Sequence, residues 1–240
     1  MIQSVDRAIS VLNAMADERR ALTALEISRI VDLDRSTVHR LLRSLEHSNM
    51  VTKDGSSWST GPGCLYLGQA FIDQSKLRNV VLPFAVDLLT KTVRDRPWTV
   101  SLGIPLFGHV IILDRIWGQN APLEAMLSIG TSLPIDGSAN GMAIIAWYDR
   151  DHLQDLLGPD RQAELEPTLK EIRDRHGLAF GTGEVKSGLS GLSIALRTSM
   201  DSPLGSLTVA GYEIDQEMTE DSESALRLIE IADQLQNGLG

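Results

Sequence analysis

The stretch DRSTVHRLLRSLEHSN, residues 34–49, decides how the chain is read. Taken from Val38, the residues Leu41, Leu42 and Leu45 recur at the spacing of one apolar helix face. At about 100° per residue, Ser36, Arg40, Arg43 and His47 fall together on the opposite face. Asp34 is placed to cap the start, and Asn49 lies near the end. A serine, two arginines and a histidine make an unusual solvent face in a chain whose net charge is −10.

Working outward, RRALTALEISRIV precedes this helix. Thr23 and Glu26 stand at capping-box spacing and predict a short second helix, with Leu25 packing at its start and Ile27, Ile30 and Val31 supplying apolar surface. Asp32-Leu33-Asp34 then makes a tight turn. Before it, Val5, Ala8, Ile9, Leu12 and Met15 share a face of a first helix that Ser4 can cap. After it, MVTKDGSSWST has hairpin composition, with 50–52 and 57–60 as strands around a turn at 53–56. A short capped helix, a tight turn, an arginine-bearing helix and a hairpin describe a winged helix-turn-helix. Such a helix fits the DNA major groove, where Arg40 and Arg43 reach guanine edges or phosphates. Ser36 and Thr37 can donate, the N–H groups at the helix start favour a phosphate, and Lys53 on the wing can touch the neighbouring backbone. Two arginines alone would favour an ordinary solvated helix. The capping box, turn length, polarity and hairpin together reverse that.

The charge is divided. Over residues 1–62, eight Lys and Arg balance eight Asp and Glu, so residues 63–240 carry the whole −10. Such asymmetry suggests two jobs. No apolar run has transmembrane length, and the N-terminus is read without a signal peptide. Cys64 is the single cysteine, which excludes an internal disulfide and fits a reducing cytoplasm.

Residues 64–81 read as a helix leaving the wing, and Pro83 can start another. Residues 98–104 and 109–116 are β-rich runs around PLFG, and LEAMLSIG is a third strand. GSANGMAIIAWYD, DRDHLQDLLG and PTLKEIRDRHG read as helices. LSGLSIALRTSM and GSLTVAGYE are antiparallel strands joined through DSPLG, and a capped amphipathic helix closes the chain. Strands and helices segregate rather than alternate, which predicts an α+β fold.

The motif search for an enzyme is negative. GSANG is not a G-x-S-x-G nucleophile elbow, GTGEVKSG is not G-x-G-x-x-G, and no P-loop occurs. His39, His47, His109, His152 and His176 are scattered without metal-ligand spacing. We expect no catalysis, no metal and no cofactor.

SVDRAISVLNAM, LTALEISRIVDLDRSTVHRLLRSLE and WSTGPGCLYLG closely resemble the N-terminal domain of the isocitrate lyase regulator (IclR) family of bacterial transcription factors, with S-T-V-H-R-L-L the strongest part. The resemblance implies that this domain is a winged helix-turn-helix and that Arg35, Ser36, Thr37, Arg40 and Arg43 contact the operator. Ser59 stands where the family usually has a wing arginine, so one phosphate contact is missing. SIGTSLPIDGSANGMAIIAW, RHGLAFGTGEVKSGLSGLSIAL and SPLGSLTVAGYE resemble the family's GAF-like effector-binding domain. Position by position they imply an effector cleft at Ala139, Asn140, Gly181, Gly191, Thr208 and Ala210. The implied organisation is a DNA-binding domain over 1–62, a linker helix over 63–82 and an effector domain with an antiparallel sheet over 83–240.

The departures Met142 for lysine, Gly181-Thr182-Gly183 before Glu184, and Gly191 for cysteine predict a roomier, less polar cleft than one for very small acids. Asn140 and Thr208 are its expected polar anchors and Trp98 or Trp117 its candidate walls. The function implied is a cytoplasmic, ligand-responsive regulator, a repressor of a catabolic operon. It would bind double-stranded operator DNA as a homodimer or dimer of dimers, with a small organic acid or aromatic compound as effector. The competing expectation is a DNA-binding protein whose C-terminal domain only oligomerises.

Overall fold

A computed structural model describes residues 2–123, 127–183 and 186–236. The chain divides into two compact units, Met1–Ser75 and Lys76–Gly240. The division falls inside the stretch expected as linker.

In the N-terminal unit, α1 (Gln3–Glu18), β1 (Leu22–Thr23), α2 (Ala24–Ile30) and α3 (Arg35–His47) precede the hairpin β2 (Val51–Asp54) and β3 (Ser57–Thr60), and α4 (Pro62–Gln74) follows. Thr23 caps α2 through a complete capping box, as its spacing predicts. Asp34 caps α3. Val11, Met15, Leu22, Ile27, Val38, Leu42, Val51 and Trp58 close one core. The short strand β1 pairs with β3, making a three-stranded sheet in the order β1-β3-β2 that the hairpin pattern alone does not announce.

Several local expectations change. Ser4 does not cap α1; Ile2 occupies the N-cap without a side-chain bond. The inward face of α1 is Val11, Ala14 and Met15, whereas Val5 and Ile9 are exposed. Leu25 is likewise exposed. The hairpin turn is tighter than the four residues expected. Asp54 pairs with Ser57, and Gly55 takes φ 57°, a value glycine adopts without Cβ strain.

The stretch read as one helix leaving the wing is two. Ser75 is extended after α4, and α5 (Lys76–Leu88) starts immediately afterwards. α4 buries no residue, so packing does not carry the helix across Ser75. Pro83 therefore lies inside α5 rather than at its start.

The C-terminal unit is built on a six-stranded antiparallel sheet in the order β6-β5-β4-β9-β8-β7. Its strands are β4 (Trp98–Leu106), β5 (His109–Trp117), β6 (Ser132–Pro134), β7 (Leu178–Thr182), β8 (Ser190–Arg197) and β9 (Pro203–Gly211). The strand expected over 123–130 lies partly outside the described residues. Its described end forms a turn in which Thr131 N donates to Ser128 O, and the strand falls on Ser132–Pro134 instead. β7 was not among the expected strands.

Because side chains alternate along a strand, the two sheet faces differ. Val100, Leu102, Leu192, Ile194, Leu207 and Val209 make the centre of one face apolar. It is covered by α5 and by α9 (Glu223–Gln236), which are joined by the Arg227–Asp87 ion pair. The other face carries Thr99, Ser101, Ser193, Ser206 and Thr208, all buried, beneath α6 (Ala139–Ile145). Beyond α6, the helices α7 (Arg150–Leu157) and α8 (Pro159–Asp174) add a second apolar cluster around Ile145, Leu153 and Leu169.

Candidate functional site

Each unit holds one candidate site. In the N-terminal unit the apolar side of α3 is fixed by Val38 and Leu42, both fully buried. That rotation leaves Arg35, Ser36, Arg40, Arg43 and His47 exposed. Thr37 departs from the expected set. It is buried on the inner side of the first turn, where Arg40 Nη2 approaches its hydroxyl at 3.5 Å. One N–H of the helix start is already taken by the Asp34 cap. Asp34 Oδ1 accepts from Ser36 Oγ at 2.6 Å and from Thr37 N at 2.8 Å. These bonds, the Ser36 hydroxyl first and then those of Thr37, hold the Asp34 carboxyl well below the usual carboxylate range. The first turn thus carries a permanent negative charge, and the exposed guanidinium groups of Arg35, Arg40 and Arg43 are left as the anion-seeking groups of the helix.

Lys53 stands on β2 opposite Trp58, with Nζ 5.5 Å from the ring centroid of that buried indole. The ring holds the exposed ammonium on the hairpin surface. Cys64 is half-buried, and its thiol donates to Met50 O at 3.2 Å, a packing role.

In the C-terminal unit, Ala139, Asn140, Gly181, Gly191, Thr208 and Ala210 all line one cavity. They come from α6, β7, β8 and β9. The sheet register explains how. Gly181 pairs with Gly191, Gly191 with Ala210, and Ala210 with Thr99, so one row of residues crosses four strands. The next row sets Ser193 against Thr208, Thr208 against Ser101, and Ser101 against Arg115. The space free of atoms here, open solvent included, is about 560 Å³.

The polar groups here are ordered. Thr208 Oγ1 donates to Ser193 Oγ at 2.7 Å, and Thr99 Oγ1 donates to Ala210 O at 3.2 Å. Asn140 Nδ2 donates to Ser206 Oγ at 3.3 Å. That approach depends on Gly103, whose Cβ would come within 3.2 Å of Asn140 Nδ2 and 2.6 Å of Val110. Gly191 is set by strand packing as well as by the cavity, since a Cβ there would lie 2.9 Å from Val209 O.

The remaining lining was missed in the sequence: Thr99 and Ser101 on β4, Arg115 on β5, and Leu127, Leu189 and Ser190. The alternation of W-T-V-S-L, with Thr99 and Ser101 on one face, is the signal that could have found two of them. Neither tryptophan is a wall. Trp98 is buried and its Nε1 donates to Tyr212 O at 3.2 Å. Trp117 lies outside the cavity and is half-exposed.

Among the described residues there is no cluster of metal-ligating side chains, and no helix is long and apolar enough to cross a membrane.

Comparison with known proteins decides the family. Residues 4–55 match the IclR helix-turn-helix domain, and residues 69–237 match the bacterial transcriptional regulator IclR C-terminal domain. The chain belongs to the IclR family. Members are DNA-binding transcriptional regulators and not enzymes. Similar IclR-family proteins include the glycerol operon regulatory protein of Streptomyces coelicolor, 26% identical over 221 residues, covering 88% of this chain and 85% of that one. The acetate operon repressor of Salmonella typhimurium is 24% identical over 226 residues, covering 88% and 80%. An IclR homologue from Microbacterium hydrocarbonoxydans, solved in complex with 4-hydroxybenzoate, superposes with a TM-score of 0.69 at 19% identity, covering 97% of each chain. That likeness shows the fold.

Proposed function

We propose that this IclR-family chain is a ligand-responsive repressor of a catabolic operon, with Arg35, Ser36, Arg40, Arg43 and Lys53 facing operator DNA and the C-terminal cavity holding the effector. The cavity carries the reading: six residues from separate segments of sequence meet at one place, with hydroxyls on its floor and apolar walls around it. A concave apolar site with a few convergent polar groups is the ordinary form of a small-molecule pocket. The repressor assignment and the organic acid or aromatic effector draw on the named relatives. A palindromic operator calls for a two-fold protein, so the working unit is a homodimer or a dimer of dimers, in the cytoplasm. The effector must bind the DNA-competent and DNA-incompetent arrangements with different affinity to switch anything.

Selection of fragmented genomic DNA by the purified protein at near-physiological salt tests this directly. A short palindrome beside one operon is expected, lost in the Arg40→Ala/Arg43→Ala double variant. Enrichment that survives the double variant would remove α3 from the interface. Lys53→Ala is expected to weaken binding on all sequences alike and to reduce the salt slope by about 1.

A further inference from the structure

Resting on that reading of the cavity, one lining feature points to what the cavity takes. Among its described lining residues there is a single charged group, Arg115. Arg115 Nη1 donates to the carbonyl of Leu127, and the guanidinium lies 5.4 Å from the Trp117 ring centroid. These contacts fix the side chain, and among the described residues no carboxylate pairs with it, Asp114 being turned to Arg78. A guanidinium has five N–H donors, and the Leu127 carbonyl uses one of its two Nη groups.

Directly across the strand pair stands Ser101. Opposed residues in an antiparallel pair share a face, with Cβ atoms roughly 5 Å apart. Ser101 is 6% exposed, and its hydroxyl has no hydrogen-bond partner among the described residues. The other buried hydroxyls of this face are engaged in bonds: Thr99, Thr208, Ser193 and Ser206. The Ser101 oxygen is not among the sealed, unpartnered buried atoms, so it is open to the cavity that it lines beside Arg115.

We propose that Arg115 and Ser101 form the anion-binding end of the cavity and select an organic monocarboxylate with a small apolar body. A carboxylate matches the guanidinium fork and can accept a hydrogen bond from the serine hydroxyl on its second oxygen. The body then lies against Leu127, Leu189, Ala139 and Ala210. One cation in the lining satisfies one carboxylate. A second would be buried unpaired in a unit that is already acidic, so dicarboxylates are disfavoured.

The test is calorimetric titration of the full chain with benzoate, hexanoate and 4-methylpentanoate, each against its neutral amide, and with phthalate and succinate. At least one monocarboxylate is expected to bind 1:1, with its amide on the order of 10- to 100-fold weaker. Arg115→Gln should erase the preference for acid over amide. Arg115→Lys, which keeps the charge, should retain part of it, and this separates charge recognition from damage to the Leu127 contact. Ser101→Ala should weaken the acid by a smaller factor. Amides binding as well as acids, dicarboxylates binding more tightly than monocarboxylates, no monocarboxylate binding, or a preference that survives Arg115→Gln would each overturn the proposal. Ala210→Phe, which fills the cavity, distinguishes the two levels. Neutral ligands that bind and are excluded by Ala210→Phe would leave the cavity an effector site while removing its anion end. Acid binding that survives Ala210→Phe would place the site elsewhere.

Discussion

The two faces of the six-stranded sheet come from the same strands and carry opposite chemistry. Under α5 and α9 every central position is aliphatic, and each is buried against another aliphatic group. Under α6 the same strands present hydroxyls, glycines and one arginine around open space. Leu207 and Thr208 are adjacent residues of β9, both buried, and they belong to different faces. One face is closed by packing and the other lines a cavity, and a shift of one residue in register would exchange them.

That contrast can be broken most sharply at β9. Leu207→Ala is expected to lower unfolding stability by about 2–5 kcal/mol, the range for deleting a buried leucine side chain. The measurement is a denaturant midpoint. A loss well below this range would mean that the apolar face is loosely packed and that the distinction between the faces is not energetic.

A smaller effect is expected where polar chemistry enters the apolar side. Arg78 Nε lies 2.7 Å from Asp114 Oδ2, joining the first turn of α5 to β5. Asp114 precedes Arg115 in sequence, and its Oδ1 accepts from Arg115 N at 2.8 Å. The strand therefore sends an acid to the α5 side and a base to the cavity side. Asp114→Ala removes the carboxylate 2.7 Å from Arg78 Nε and is expected to cost roughly 1–3 kcal/mol, less than a fully buried pair because water still reaches Arg78. If α5 carries the response to ligand, this variant should also bind ligand normally while its DNA release is blunted. Unchanged release at full affinity would show that α5 is not tied to the cavity through β5.

How much of this was legible in the sequence follows from the range of the interactions. The face of α3 is a local matter, because helical period and the Asp34 cap lie within 16 consecutive residues, so Arg40 and Arg43 could be placed from spacing. Thr37 was misplaced because it sits at the edge of that face, where a small rotation decides burial. The cavity is not local. Ser101 and Arg115 meet only through the register of β4 on β5, and no spacing along the chain encodes that pairing. The six residues that family resemblance supplied came through their motifs, not their chemistry. Trp98 fell on the apolar face by the same alternation that put Thr99 in the cavity, so its size said nothing about the site.

On the cavity side a still smaller cost is expected. Thr208→Val keeps the shape and removes the hydroxyl that donates to Ser193. The expected loss is about 0.5–1.5 kcal/mol, one ordinary hydrogen bond. Measured beside Leu207→Ala in the same denaturant series, it sets the ratio between the faces. Equal losses would mean that the hydroxyl row is part of the packing rather than a surface kept for a ligand.

The least effect, and the most local, belongs to the other unit. Glu26 completes the capping box of α2, and its carboxyl is lowered from 4.5 to about 2 by the backbone N–H of Thr23, then by Arg20 and the Thr23 hydroxyl. Because the folded value is depressed, the unfolded chain binds the proton more readily in that interval. The contribution of the cap is therefore fully in place above about 4.5 and is lost as the pH falls toward about 2. A carbon-detected titration of the Glu26 carboxyl should show its midpoint near the lower value, with protection of the Thr23 amide from exchange fading over the same interval. Glu26→Gln should remove that pH dependence from the Thr23 amide and leave exchange in β8 unchanged. A midpoint near 4.5 would mean that the cap does not hold in solution.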